Sequence, residues 1–271
     1  MSDSRALFDP ETDDILVERR GRVARLIVNT PAENNRLTPN ALAKLELLAR
    51  DFARDEETQV IIVTGQGATF SVGIFNPVLR ASYSKDDVIA IVRTANRAYD
   101  AIEALPQTVI AALNGATRAG GAELALACDI RLAADTAVLS FPEAAWGGFP
   151  GAGGPARLGA LLGRGRALEI IGTGREVGAD EMERLGLVQG IHAASELTAA
   201  TDALAEKIAA AGPLAMRGAK RIIRMGEAYG PGAAHQMSDA LRYPLEWSAD
   251  VDEAMAAHRE NRLPKFTGRL G

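Results

Sequence analysis

Residues 114–134 read NGATRAGGAELALACDIRLAA, and this stretch decides the fold of the chain. Its middle part, AGGAELALA at 119–127, predicts a helix that starts at paired glycines, and DIRLAA at 129–134 predicts a buried strand. The apolar run TVIAAL at 108–113, directly before the stretch, is typical of another buried strand. Strand, helix and strand at this spacing predict crossover units, and hence a largely parallel sheet.

The segments on the N-terminal side extend this pattern. Two apolar runs at 15–19 and 23–29 surround a turn at Gly21 and predict a β-hairpin. The run QVIIVT at 59–64 is followed by glycine and predicts a further parallel strand, and a helical pattern runs from about 88 to 105. The predicted fold class is therefore α/β.

The C-terminal third of the chain has a different character. Short breaks that contain glycine, proline or aspartate separate four segments of helical pattern, at 196–211, 213–229, 233–248 and 250–261. Loops this short predict packed helices and not a flexible tail. The predicted organisation is an N-terminal extension (1–14), an α/β core (15–200) and a helical C-terminal region (201–271).

Composition and charge exclude several classes of protein. With 271 residues, 47% of them hydrophobic, the chain can bury the core of a large domain. A net charge of −5 and a pI near 5.4 argue against binding to nucleic acid or to an anionic membrane. No apolar run approaches the ~20 residues of a membrane span, and the N-terminus resembles neither a signal peptide nor a transit peptide. The single cysteine, Cys128, allows no intrachain disulfide, so we expect a cytoplasmic protein.

Two glutamates, Glu123 and Glu143, lie in the most apolar and glycine-rich third of the chain. A carboxylate is costly in such surroundings. Two carboxyl groups in one pocket differ in proton affinity, and one neutral and one ionised acid are what acid/base catalysis needs. Each glutamate also allows a structural interpretation, as an acid in the first turn of a helix. The small-residue turns beside both acids favour catalysis, and the pair predicts an enzyme.

Other kinds of site are poorly supported by the sequence. GAGGPARLG at 151–159 lacks the Lys-Ser/Thr end of a P-loop, and no GxGxxG directly follows the first strand. The three histidines and Cys128 do not cluster at ligand spacings, so no metal site is predicted, and no serine lies in a GxSxG elbow. GRGRALEIIGTG at 163–174 is basic and helical in period and fits neither nucleotide-binding motif, so for the glycines of 163–178 we favour tight turns and close packing.

Backbone amides are the remaining candidates. Gly120 and Gly121 lie where a helix begins, so their N–H groups have no partner within the helix and lie at the positive end of its dipole. A second small-residue turn, FSVGIF at 70–75, follows the strand predicted at 59–64. Because neighbouring parallel strands end at one edge of a sheet, the amides of Ile74 and Gly120 are predicted to converge as an oxyanion hole.

Residues 114–134, followed by SFPEAAWGGFPGAGGPARLGALLGRGRALEIIGTG at 140–174, resemble the enoyl-CoA hydratase/isomerase, or crotonase, superfamily. The resemblance runs from about Ile15 to the end and includes the tail AHRENRLPKFTGR at 257–269. It implies a crotonase-like spiral core of ββα repeats and a helical C-terminal region that forms a homotrimer or a dimer of trimers. It also implies an acyl-CoA thioester as substrate and no separate cofactor, because coenzyme A is part of the substrate.

The resemblance implies a role for each candidate residue. The amides of Ile74 and Gly120 correspond to the oxyanion hole that holds the thioester oxygen. Glu123 corresponds to the carboxylate that activates water, and Glu143 corresponds to the one that exchanges the proton at the α-carbon. Gly151 corresponds to a backbone donor that helps to place the water. A chain that keeps both acids is expected to be an enoyl-CoA hydratase.

Departures from the family pattern leave the substrate open. Phe75 replaces an aspartate of the first turn, and Trp146 is a candidate wall of the acyl pocket, although core packing explains it equally well. Arg36 and Lys265 are weak candidates for contacts with CoA phosphates, because surface cations are usually only solvated. Two alternatives remain: another crotonase reaction, such as double-bond isomerisation or carbon–carbon cleavage, and a non-catalytic acyl-CoA-binding or scaffold protein.

Overall fold

The computed structural model describes residues 7–269, so the first six residues of the predicted N-terminal extension lie outside it. The rest of that extension runs along the core, and Leu7 and Phe8 pack against it. Within residues 7–269 no helix is both long enough and apolar enough to cross a membrane.

The described chain alternates strands and helices up to about residue 192 and is then helical. The strands are β1 (Ile15–Arg20), β2 (Val23–Val28), β3 (Val60–Gly65), β4 (Thr69–Ser71), β5 (Thr108–Leu113), β6 (Ala116–Arg118), β7 (Ile130–Ala134), β8 (Val138–Ser140), β9 (Val177–Gly178) and β10 (Ile191–His192). The α-helices are α1 (Pro39–Phe52), α2 (Pro77–Ala81), α3 (Lys85–Glu103), α4 (Gly120–Ala127), α5 (Gly154–Leu162), α6 (Arg164–Thr173), α7 (Ala179–Arg184), α8 (Leu197–Ala209), α9 (Pro213–Tyr229), α10 (Pro231–Glu246) and α11 (Ala249–Arg259). Two 3-10 helices lie at Pro31–Glu33 and Pro142–Trp146.

The larger sheet has six strands in the order β1-β2-β3-β5-β7-β10. The hairpin pairs β1 with β2 in antiparallel fashion, and every other pair in this sheet is parallel. All residues of β3 and β5 are buried, because helices cover the sheet on its faces. The predicted α/β class with a largely parallel sheet is confirmed.

A second, smaller sheet has the order β4-β6-β8-β9. Its strands β4, β6 and β8 follow β3, β5 and β7 after short turns, and each of them leads into a helix. This repeat of strand, strand and helix is the ββα unit that the sequence resemblance implies. The sequence pattern did not predict the second sheet, because strands of two or three residues are too short to show a periodicity.

The helical C-terminal region is joined to the core by α8 and α9. Helix α8 packs on the larger sheet, and α9 and α10 pack on each other. Lys220 of α9 donates to Asp129 Oδ2 at 2.7 Å and to the Gln107 carbonyl at 2.9 Å. The predicted helix at 213–229 is confirmed to the residue, and the three other C-terminal helices are confirmed within about two residues.

Three details differ from the sequence-based expectation. Helix α3 starts three residues earlier than predicted, because Ser84 caps it and accepts a hydrogen bond from the Asp87 amide at 3.1 Å. Helix α10 starts at Pro231, a residue suited to the first helical position. Among the glycines of 163–178, Gly163 and Gly174 border α6 with a positive φ, whereas Gly165 and Gly172 lie within this helix and form no turn.

Candidate active site

Two small-residue turns meet where β4 and β6 end. A Cβ added to Gly73 would lie 2.7 Å from the Gly120 nitrogen and 2.7 Å from the Ala119 Cβ, so the first turn passes directly over the start of α4. Gly73 has a φ of +89°, which suits glycine. Ala119 has φ +50° and ψ −129°, a region that usually belongs to glycine, so the entry into α4 is strained. The contact between the turns brings Ile74 and Gly120 side by side.

The amides of Ile74 and Gly120 are both available to a ligand. Within residues 7–269 neither N–H group donates a hydrogen bond, whereas the neighbouring Gly73 amide donates to Ser71 Oγ at 3.1 Å. Gly120 is also the first residue of α4, where the helix dipole is positive. Two free donors on adjacent turns are the arrangement that a developing oxyanion requires.

Glu123 lies in the first turn of α4 and is almost fully buried, with 2% of its surface exposed. Its Oε1 atom accepts hydrogen bonds from the amides of Ala152 at 2.7 Å and Gly154 at 2.9 Å. Burial raises the pKa of Glu123 to about 7, against the effect of these two hydrogen bonds, and the charge of Glu143 raises it further. The Oε2 atom has no hydrogen-bond partner in the described chain, which leaves it free to bind a ligand.

Glu143 lies in the 3-10 turn Pro142–Trp146, which ends at Gly147 in the left-handed conformation. The side chain is half-buried, and its Oε2 atom is shielded from solvent without a hydrogen-bond partner among residues 7–269. Burial raises the pKa of Glu143 to about 7. The charge of Glu143 is near enough to raise the pKa of Glu123, so the two carboxyl groups lie in the same part of the molecule.

Gly151 lies in the turn 150–154, which also supplies the two amides that bind Glu123. Its carbonyl oxygen accepts a hydrogen bond from Asn96 Nδ2 at 2.7 Å, and an added Cβ would lie 3.0 Å from Val92 Cγ1. Both contacts come from α3, so this helix holds the turn in place. In the described chain the Gly151 amide has no acceptor, and it is free to donate to a ligand.

Arg157 of α5 links the same turn to α3 a second time. It donates to the Ala152 carbonyl at 2.9 Å, to Asp100 at 2.7 Å and to Glu103 at 2.8 Å. Because the Arg157 side chain is largely buried, solvent and salt screen its ion pairs less than they screen a pair on the surface. The turn 150–154 is therefore a fixed frame for the donors it carries.

Sequence reasoning missed most of this frame. The small residues at 151–154 do carry a signal for the amides of Ala152 and Gly154, because successive N–H groups in such a turn can face an anion. Asn96 and Arg157 had no comparable signal, since a single polar residue in an amphipathic helix is usually solvated.

Phe75 and Trp146 are the predicted walls of the substrate pocket. Phe75 lies beside the turn that carries Ile74, and Trp146 lies in the turn that carries Glu143. Phe75 directly follows Ile74 and packs edge-on against Tyr83, with 5.8 Å between the ring centroids. Trp146 ends the 3-10 turn of Glu143 and is 39% exposed, so core packing does not explain it.

Arg36 and Lys265 lie in surroundings that differ from each other. Arg36 forms an ion pair with Glu33, and its side chain is mostly buried. Lys265 is exposed in the C-terminal tail, where the carbonyl of Phe266 accepts a hydrogen bond from Arg22. Arg22 lies at the amino end of β2, the edge of the sheet opposite to the carboxyl ends. A single chain therefore does not bring Lys265 to the carboxylate pair.

Metal and thiol chemistry find no support in the part of the chain that is described. Residues 7–269 contain no group of three or more His, Cys, Asp or Glu side chains placed to hold a metal ion. Cys128 is buried, and burial raises the pKa of its thiol to about 12. The thiol therefore stays neutral and acts as a small apolar side chain.

Comparison with known proteins relates nearly the whole chain to one family. A family model described as enoyl-CoA hydratase/isomerase matches residues 18–269. A Bacillus subtilis protein named as an enoyl-CoA hydratase/isomerase, YngF, is 39% identical over 204 residues, which are 75% of this chain and 78% of that protein. The short-chain-enoyl-CoA hydratase of Clostridium acetobutylicum is 33% identical over 218 residues, 80% of this chain and 83% of its own. The crystal structure of an enoyl-CoA hydratase from Bacillus anthracis matches with a TM-score of 0.91 at 34% identity and covers 94% of this chain and 100% of that chain.

Proposed function

The chain belongs to the enoyl-CoA hydratase/isomerase family, and within this family we propose that it is an enoyl-CoA hydratase. The proposed reaction is the syn addition of water across the 2,3 double bond of a 2-enoyl-CoA thioester. The observation that carries the proposal is the presence of two buried or half-buried carboxyl groups, Glu123 and Glu143, near enough for the charge of Glu143 to raise the pKa of Glu123. Hydration requires one group to take a proton from water and another to deliver a proton to carbon.

In the proposed complex the thioester oxygen accepts hydrogen bonds from the amides of Ile74 and Gly120. Negative charge develops on this oxygen when water attacks C3. Both donors and the positive end of α4 stabilise that charge. Because losing one such donor typically costs ~10²–10³ in rate, these amides supply a large part of the proposed catalysis.

The proposed proton movements use the two acids in turn. Glu123, as a carboxylate, takes a proton from water while the water oxygen bonds to C3, and the π electrons move to the thioester oxygen as an enolate. Glu143, as an acid, protonates C2 while the enolate returns to a carbonyl, and the Gly151 amide helps to place the water. A pKa raised to about 7 for both groups supports this division, since near neutral pH two such groups hold about one proton between them.

Coenzyme A enters and leaves as part of the substrate, so we propose no separate cofactor. Phe75 and Trp146 are proposed to contact the substrate near the predicted oxyanion donors. Arg36 and Lys265 are proposed contacts for CoA phosphates. The proposed Lys265 contact requires a second subunit, because within one chain Lys265 lies at the opposite edge of the sheet.

The proposed assembly is a homotrimer or a dimer of trimers in the cytoplasm. Its support is a set of large apolar side chains exposed on and beside α9, α10 and α11: Ile223, Tyr229, Tyr243, Trp247 and Met255. Exposed apolar side chains grouped in one region are typical of an interaction surface.

Hydration of crotonyl-CoA, followed by the loss of ultraviolet absorbance of the enoyl thioester, tests the proposed reaction. We expect turnover by the wild type and losses of ~10³-fold or more in kcat for both Glu123→Gln and Glu143→Gln. Each glutamine side chain replaces a carboxyl group that is proposed to carry a proton. Glu183→Gln, an exposed position on α7, is the matched control and is expected to keep full activity.

Two other results would replace the proposal. Shift of the double bond in a 3-enoyl-CoA that depends on Glu143 but not on Glu123 would identify an isomerase. Tight binding of acyl-CoA thioesters without turnover on any chain length would identify a binding or scaffold protein.

A further inference from the structure

Tyr99 is a fully buried side chain of α3, and its hydroxyl has no hydrogen-bond partner within residues 7–269. Native proteins pair nearly all their buried polar atoms, and each exception calls for an explanation. Phenylalanine would fill almost the same volume without the cost of desolvating a hydroxyl. The Tyr99 hydroxyl therefore indicates a partner that comes from outside the chain.

The hydroxyl lies beside the predicted oxyanion donors. A Cβ built on Gly120 would be 3.4 Å from Tyr99 Oη and 2.9 Å from Ile74 Cγ1, so the hydroxyl and the Ile74 side chain both lie close to Gly120. Burial, and then the charge of Glu123, raise the pKa of Tyr99 well above its usual range, against a smaller effect of Arg157. The phenol therefore stays protonated at neutral pH and can donate a hydrogen bond.

We propose that the Tyr99 hydroxyl donates a hydrogen bond to the oxygen atom that Glu123 handles. In hydration this atom is the oxygen of the attacking water, and in the reverse reaction it is the 3-hydroxyl oxygen of the product. The inference rests on the proposed hydratase function. Tyr99 transfers no proton: the proton of the water goes to Glu123, and the phenol remains neutral throughout.

The geometry supports this acceptor over the Glu123 carboxylate itself. Tyr99 makes no direct hydrogen bond to Glu123, although the carboxylate is near enough for its charge to act on the phenol. Glu123 Oε1 is already bound by two amides, whereas Oε2 has no partner among the described residues. An oxygen atom placed between Oε2 and the phenol would satisfy both groups.

Tyr99→Phe separates this role from two others. A purely structural hydroxyl predicts unchanged kinetics and an equal or higher melting temperature, because an unpaired buried group is removed. A hydroxyl that binds the thioester oxygen predicts a loss in every reaction that passes through the enolate. The proposed role predicts a loss only where an oxygen atom joins or leaves C3.

The experiment therefore compares two reactions of the same variant. The first is hydration of crotonyl-CoA, and the second is exchange of the C2 hydrogens of butyryl-CoA with deuterated water, followed by NMR. Butyryl-CoA has no oxygen at C3, so its exchange uses the oxyanion donors and Glu143 alone. We expect kcat for hydration to fall about tenfold with little change in KM, exchange to stay within about twofold, and the melting temperature to be kept or raised. Thr198→Val, which removes an exposed hydroxyl on α8 with little change of shape, is the matched control.

Three results overturn the inference while leaving the hydratase in place. Hydration equal to wild type removes any role for the hydroxyl, and equal losses in hydration and exchange assign it to the thioester. A lower melting temperature with both activities reduced assigns it to the fold. A wild type that exchanges but does not hydrate overturns the proposed reaction itself, and the Tyr99 inference with it.

Discussion

The segment that carries Glu123 and the segment that carries Glu143 reach a similar pKa, about 7, in different surroundings. Burial is the main cause for both. Around Glu123 it is opposed by two amide hydrogen bonds, whereas Glu143 has one shielded oxygen without any partner in the described chain. A raised pKa alone therefore does not tell whether a carboxyl group is already held in place.

The local structure explains the contrast. Glu123 lies on an α-helix whose eight residues are all buried. Its donors come from a turn that is tied to α3 by Asn96 and by the ion pairs of Arg157 with Asp100 and Glu103. Glu143 lies on a single 3-10 turn with exposed neighbours on its C-terminal side. The first carboxyl group is preorganised before substrate binds, and the second lacks a partner that we expect the substrate to supply.

Gly154→Ala is expected to have the largest effect on activity, because it disturbs the preorganised surroundings of Glu123. The new Cβ would stand 2.9 Å from both Cγ and Oε1 of Glu123 and 3.1 Å from Pro150, so the carboxylate must leave the amides that hold it. A displacement of about 1 Å at a reacting group can cost ~10²-fold in rate. We expect kcat/KM for crotonyl-CoA to fall by about that factor in steady-state assays.

Gly148→Ala is the matched change on the Glu143 side. Its Cβ would lie 3.4 Å from Arg80 Nη1 and 3.6 Å from the Glu143 carbonyl, which are ordinary contacts. We expect kcat/KM to stay within about threefold of wild type, as for most substitutions without a steric conflict. Equal losses of kcat/KM in Gly154→Ala and Gly148→Ala would contradict the contrast between closely packed surroundings at Glu123 and less constrained ones at Glu143.

The pH dependence of stability gives the next largest effect. A folded-state pKa of about 7 for Glu123, above the value of 4.5 for a free side chain, means that the folded protein binds this proton more tightly. The stabilisation is complete below pH 4.5 and is lost as the pH rises through 7. Glu123→Gln cannot ionise, so its free energy of unfolding relative to wild type should rise by ~2–3 kcal/mol between pH 4.5 and 8.

Urea unfolding at several pH values measures this difference. Glu143→Gln should show the same sign with a smaller amplitude, because Glu143 is only half-buried and its charge is better solvated. A difference between Glu123→Gln and wild type that stays constant from pH 4.5 to 8 would show that Glu123 is not held neutral by burial.

The sequence predicts the two glutamates better than it predicts the residues that surround Glu123. Both glutamates could be selected from sequence, since an acid beside small residues in an apolar stretch has few structural uses. The frame around Glu123 could not, because the contact of Asn96 with Gly151 joins residues 55 positions apart and depends on how α3 packs. Tyr99 is hidden in the same way: in a helical pattern it is simply another core aromatic.

A reciprocal pair of substitutions gives the smallest expected effect. Ala119, which precedes the helix of Glu123, and Gly147, which ends the turn of Glu143, both have a positive φ, of +50° and +72°. Ala119→Gly removes backbone strain, while Gly147→Ala adds it without a clash, since no atom lies within 4 Å of the new Cβ.

We expect opposite changes of about 1 kcal/mol in the free energy of unfolding, or ~2–4 °C in melting temperature for a chain of this length. Ala119→Gly should gain stability but lose some activity, because the strained residue fixes the direction of the Gly120 amide. Gly147→Ala should lose stability and keep its activity. Calorimetry with a hydration assay on both variants checks the pair. A Gly147→Ala variant that loses more activity than Ala119→Gly would place the preorganised part of the site around Glu143 instead of Glu123.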